Sequence, residues 1–248
     1  MKNETEEPAA VARVDWTDSH GKFHSQIASR NLLDAEIYSA RQARTGNRYP
    51  GQGNYHGLNW FANTGTQLWH ESLTERSALL WLDFTHDVIA IAVQPMQMFF
   101  PDGTHHFPDF LALHSDMRQV VYNVKPEGLI TTKVRTQFDN ATRLCTSVGW
   151  IHHVIPTFDP AYIRNVEYLS NHRQPHSAPS DIVRAELLAA LTAPLPLSVA
   201  AAQLRSAPRN TARTSIYNLA WYGEIQLDLN TPLSDQTLVR KAPHHVHN

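Results

Sequence analysis

The chain has 248 residues, 42% of them hydrophobic and 18% charged, with a formal net charge of −2 at pH 7. That length suffices for one large domain, or a medium and a small one, each with a buried core. No run approaches the ~20 apolar residues of a membrane-crossing helix, and the opening "MKNETEEPAAVARVD" lacks the apolar stretch of a secretory signal. No membrane partner and a cytoplasmic location are therefore expected. A single cysteine, Cys145, excludes an internal disulfide and a zinc framework. The fifteen histidines are scattered or lie in the tail, and none shows the helical i, i+4 spacing with a carboxylate that a zinc hydrolase needs.

Residues 1–20 are polar, charged and aperiodic, and are expected to be disordered. The stretch from there to Trp69 alternates Gly and Asn with short aromatic runs, the pattern of small strands and turns. "ESLTERSALLWLDF" predicts a helix: Ser72 caps it, Glu75 is the acid of a capping box, and Leu79, Leu80 and Leu82 form its apolar face. "DVIAIAVQP" predicts a buried strand. "MQMFFPDGTHHF" predicts a strand, a turn and a second strand that continues into "PDFLALHSD".

In "RQVVYNVKP" strand alternation puts Val120, Tyr122 and Val124 on one face, and Val121, Asn123 and Lys125 on the other. From Thr131 to Val148 the residues Val134, Phe138, Ala141, Cys145 and Val148 form one helical stripe, closed by Gly149, so Cys145 is expected to be a core thiol. "WIHHVIP" predicts a strand. The order of helix, three antiparallel strands, helix and strand implies a mixed α/β core over residues 21–175.

"SNHRQPHSAPS" has the composition of a linker. Beyond it, residues 176–242 read as three helices and a strand pair, "EIQLDL" and "QTLVRK", the order of a small winged helix-turn-helix domain whose third helix would enter the major groove. Arg209, Arg213 and Thr214 at the start of that helix are the expected DNA-binding residues, with docking to protein as the alternative. Residues 243–248 are expected to be a disordered tail.

Cleaving a phosphodiester with a divalent cation requires at least two oxygen ligands and a group that manages charge near the attacking water. The chain places Glu75 on a helix, Asp109 at a strand, and Asn123 with Lys125 on the next strand. Glu75 shares its helix side with Leu79 and Leu82, where a carboxylate needs a metal or a donor; the alternative is a capping acid only. Glu71, one turn earlier, competes with it. Lys125 could orient the attacking hydroxide or stabilise the pentavalent phosphate.

The pieces "ESLTERSALLWLDF", "VIAIAVQP" with Gln94, "HHFPDF", "VVYNVKP" and "TRLCTSVGWIHHVIP", in that order over residues 45–175, resemble the TnsA-like endonuclease subunits of heteromeric transposases. The resemblance implies a restriction-endonuclease-like PD-(D/E)xK core that nicks the 5′ strands at transposon ends with Mg²⁺, or Mn²⁺ in its place. It further implies DNA, a DDE-class transposase and an ATPase regulator as partners. By position, Glu75, Asp109, Asn123 and Lys125 become the catalytic set. The family often has an acid where Asn123 stands; an amide oxygen there would be a neutral, weaker ligand, supplemented by the backbone oxygen of Val124. Two alternatives remain at this stage: a catalytically silent assembly subunit, and a stand-alone restriction or repair nuclease.

Overall fold

The computed structural model describes residues 11–44, 55–85, 87–208 and 210–243. These fall into two compact units, one of residues 11–78 and 87–157, the other of residues 79–85 and 158–243. The chain is a mixed α/β protein with several sheets.

In the first unit, β1 (Arg13–Thr17) and β2 (Phe23–Ile27) form a hairpin, and β3 (Gly57–Phe61) and β4 (Thr66–His70) form another. Helix α1 (Leu73–Phe84) follows, its residues from Leu79 on belonging to the second unit. Next come β5 (Val88–Val93), β6 (Met96–Phe99), β7 (His105–His106), β8 (Phe110–His114) and β9 (Gln119–Val124). Helix α2 (Thr132–Val148) then leads to β10 (Ile151–Ile155). One sheet has the order β2-β1-β6-β7 and the second β10-β9-β8-β5. Within the second sheet β8 is antiparallel to both β5 and β9, whereas β9 and β10 are parallel and joined through α2.

Strands β8 and β9 are buried along almost their whole length, which is why both read as near-continuous apolar runs. Thr131 caps α2 by accepting from the Val134 N–H, and Gly149 ends it at φ 97°, a left-handed angle that favours glycine. The helix presses Ala141, Leu144, Cys145 and Val148 onto Leu111 and Val121 of one sheet and Val14, Trp16 and Met98 of the other. Cys145 is therefore the packed thiol expected, and burial pushes its pKa up to about 12. On the opposite face of the β8–β9 pair, His114 bridges the Asp87 carboxylate (2.8 Å) and the Tyr122 hydroxyl (2.9 Å).

The second unit contains α3 (Pro160–Ser170), α4 (Asp181–Ala190), β11 (Leu195–Pro196), α5 (Leu197–Gln203), α6 (Ala212–Trp221), β12 (Ile225–Leu227) and β13 (Leu238–Lys241). Its three strands pair in the order β11-β13-β12. Asp159 caps α3 with Pro160 in the first turn, and Ser180 caps α4. The core gathers Leu80, Val166, Leu169, Val183, Leu187, Leu197, Ile216 and Trp221. Inside it Asp83, with no exposed side-chain surface, faces the equally enclosed Arg173 at 3.6 Å.

Three expectations are corrected. The disordered N-terminus was to extend to residue 20, yet Arg13–Thr17 form the central β1, paired on both sides; residues 1–10 lie outside the described residues. The two units part after residue 157, not 175, because α3 joins the second core through Val166 and Leu169. The third helix of the C-terminal region, α6, is buried at every position from Ser215 to Trp221, so it has no free face to lay in a groove. Residues 244–248 of the expected tail also lie outside the described residues.

Removing the Arg173 guanidinium takes away the cation that faces the enclosed Asp83 carboxylate. Arg173→Met should lower the unfolding free energy by about 3–5 kcal/mol, read from urea unfolding.

Candidate active site around Asp109

Pro108 has no N–H to give a neighbouring strand, so the β8 ladder stops at Asp109. Asp109 donates its N–H to the Tyr122 carbonyl (3.0 Å) and accepts from the Gln94 N–H (2.8 Å), which locks its backbone between the ends of β5 and β9. Its Oδ2 accepts from the Val124 N–H at 2.6 Å and lies 3.5 Å from Asn123 Nδ2. Asp109 and Asn123 are thus cross-strand neighbours on the face that α2 covers.

Gln94 acts as a brace here. Its backbone is left-handed at φ 43°, an uncommon state for a residue with a Cβ. Its side-chain oxygen accepts from Gln42 (3.0 Å).

Glu75 sits in the first turn of α1, where the capping box forms as the sequence predicts. Ser72 Oγ accepts from the Glu75 N–H (3.2 Å), while Glu75 Oε1 accepts from the Ser72 hydroxyl (3.1 Å) and Oε2 from the Glu71 N–H (2.8 Å). Glu71 differs: its Oε2 is 3.6 Å from Arg44, and its Oε1 is buried without a hydrogen-bond partner among the described residues. Lys125 follows β9 directly, half-buried, with its N–H on the Ile155 carbonyl (3.1 Å); alternation puts it on the Asn123 face.

Burial, then the charge of Glu75, raises the Asp109 pKa to about 7, against the pull of the Val124 N–H and the Asn123 amide; Glu71 adds to the rise. Burial likewise raises that of Glu75, with Glu71 contributing. Acceptors that load one another in this way, one of them orphaned, fit a hard cation bound through oxygen. Among the described residues no group of three or more His, Cys, Asp or Glu is arranged to hold a metal. The oxygen groups that the sequence reading assigns to a metal are the Asp109 and Glu75 carboxyls, with Glu71 in reserve, the Asn123 amide and the Val124 carbonyl. Such a set suits Mg²⁺ better than Zn²⁺.

Sequence reasoning passed over the histidines that surround Asn123. His106 Nε2 and His152 Nε2 lie 3.1 and 2.9 Å from its Oδ1, and Thr142 Oγ1 is 2.8 Å from His152 Nδ1. Burial lowers the pKa of both imidazoles, that of His152 to about 4 with help from His106 and His153. The signal was present in "WIHHVIP": once β10 is placed parallel to β9, His152 stands opposite Val121 and faces the Asn123 side.

Of the expected DNA-binding residues, Arg213 lies in the first turn of α6, paired with Asp235 at 2.6 Å, and Thr214 follows it, half-buried. Arg209 lies outside the described residues.

A carboxyl whose folded pKa is raised binds more protons folded than unfolded, so its contribution to stability falls as pH climbs from about 4 through about 7. His152 has the opposite sign: its folded pKa is depressed, and stability rises between about 4 and 6.5. Comparing wild type with Asp109→Asn isolates the first effect. The substitution should be near neutral at pH 4 and stabilising by roughly 2–4 kcal/mol at pH 8 without divalent metal, measured by urea unfolding.

No protein-family model matches this chain, and no curated protein matches it.

Proposed function

We propose that the chain is a Mg²⁺-dependent DNA endonuclease of the TnsA-like kind, nicking the 5′ strands at transposon ends beside a DDE-class transposase and an ATPase regulator. The observation that carries this reading is the union of Asp109 with Asn123 and Val124 on adjacent antiparallel strands, loaded electrostatically by the acids of α1. The order α1, β5, β8, β9, α2, β10, with β10 parallel to β9, agrees with the restriction-endonuclease-like core that the motifs imply.

A divalent cation held by Asp109, Glu75, the Asn123 amide and the Val124 carbonyl would supply Lewis-acid polarisation of the scissile phosphate and a more acidic water. The protein's own groups then have distinct tasks. The Asp109 carboxyl is fixed by the Val124 N–H, so it meets its ligand without rearrangement. Lys125, on the same face, brings a positive charge to the phosphate oxygens that gain charge during attack.

Residues 176–242 support a winged-helix reading through the three helices α4, α5 and α6 and the β11-β13-β12 sheet. With α6 enclosed, its DNA contact is confined to phosphates reached by Arg213 and Thr214 in the first turn, and base reading in the groove is not part of the proposal.

One observation favours a second reading, a nuclease-like subunit that assembles the complex without cutting. Both oxygens of Glu75 are engaged in the helix cap, which leaves it a capping acid unless the cap opens.

The test is strand cleavage on transposon-end DNA with the co-encoded transposase present. Asp109→Ala and Lys125→Ala should each reduce 5′-strand nicking by at least ~100-fold while partner binding is retained. Undiminished nicking in both variants would sink the endonuclease reading. Partner binding by a wild type that never nicks would favour the assembly role.

A further inference from the structure

The contacts of Asn123 include a chain, through His152 to Thr142, along which the protons can be assigned. Thr142 has a single hydroxyl proton, and it is donated to the Phe138 carbonyl at 2.9 Å. Its oxygen, 2.8 Å from His152 Nδ1, then accepts the Nδ1 proton. Among the described residues the hydrogen-bond contacts of His152 are a hydroxyl and a carboxamide, with no carboxylate to pair with an imidazolium, and a neutral ring carries that one proton. Its Nε2 is bare and needs a donor, yet the carboxamide turns its oxygen toward it at 2.9 Å.

A half-turn of the carboxamide about χ2 exchanges Oδ1 and Nδ2 within the same space and resolves the conflict. The amide nitrogen has two hydrogens. Two imidazole nitrogens, His106 Nε2 and His152 Nε2, stand 3.1 and 2.9 Å from that end of the group, one for each hydrogen. The same half-turn brings the carbonyl oxygen to the end now 3.5 Å from Asp109 Oδ2. Two acceptors so placed call for a proton or a cation between them.

We propose that His106 and His152 are positioning residues, with Thr142 fixing the tautomer of His152, and that they hold Asn123 with its carbonyl oxygen turned to Asp109 as a neutral oxygen donor. The inference rests on the endonuclease reading for its purpose. It also explains how an amide can occupy a position where a carboxylate would add a third negative charge to Asp109 and Glu75: the imidazoles accept from an amide nitrogen, and a bare Nε2 has no proton to offer a carboxylate.

Two measurements on the full-length protein test it. Long-range ¹⁵N–¹H spectra of the metal-free protein, labelled at histidine, report which ring nitrogen is protonated. The expected result is Nε2 bare in both His106 and His152, and a protonated Nε2 in His152 overturns the inference. Calorimetric titration with Mn²⁺ gives the second readout. His152→Phe removes the acceptor and should weaken Mn²⁺ binding by roughly 10–100-fold, while His152→Gln, whose side-chain oxygen can accept the same hydrogen, should restore most of it.

Binding in His152→Phe within twofold of wild type overturns the inference even if the endonuclease reading stands. Absence of any Mn²⁺ binding that depends on Asp109 in the wild type overturns the endonuclease reading, and with it the purpose given to the amide. The tautomer spectra of the wild type do not depend on a variant folding.

Discussion

The hydrogen bond from the Val124 N–H to the Asp109 carboxyl is the constraint on which the rest of the site depends. Val124 lies beyond the terminal β8–β9 pair, Phe110 with Tyr122, and gives its N–H to a side chain, the Asp109 carboxyl. The catalytic candidate is thus a continuation of the sheet. Its position is set by strand spacing, and the half-buried backbone donor and the carboxyl satisfy each other. The same bond explains why the acid tolerates its neighbours: it opposes, without cancelling, the rise in pKa that burial and Glu75 impose.

Around that bond the protein accepts local costs. Gln94 holds a left-handed backbone while its N–H meets the Asp109 carbonyl, and Glu71 leaves an oxygen buried with no donor among the described residues. Each is the kind of feature that a fold selected for stability alone would remove, of order 1–3 kcal/mol apiece. Their concentration within one corner of the first unit, beside a strand pair that is otherwise apolar and fully paired, sets this corner apart from the rest of the sheet. The capping box of α1 links the two requirements, because Glu75 serves the helix start and the field at Asp109 with one carboxyl group.

How much of this could be read in the sequence depends on the range of the interaction concerned. The caps at Ser72 and Gly149 and the α2 stripe that buries Ala141, Cys145 and Val148 follow from spacing within a dozen residues and are found in the structure. Strand β1 was hidden because its partners lie in β2 and in β6, some eighty residues away, and a five-residue strand among charged residues carries little periodicity. Helix α3 had a legible start in Asp159-Pro160, but the sequence reading assigned no element to the segment and counted it with the first core. The enclosure of α6 was not legible, since Tyr217 and Asn218 look like surface residues until Tyr168, His172 and the His172 carbonyl are seen to pack on them. The histidines around Asn123 needed the parallel register of β9 and β10, which no local pattern encodes.

The burial of Cys145 has a practical side. It is the sole cysteine of the chain, it packs inside the α2 core, and its thiol stays protonated through the whole range in which maleimides and related reagents are used. The folded protein is therefore a blank background for thiol chemistry. A cysteine introduced at an exposed position such as Tyr222 or Leu238 would take a fluorophore or a spin label alone, giving a reporter for the second unit without first removing any native residue.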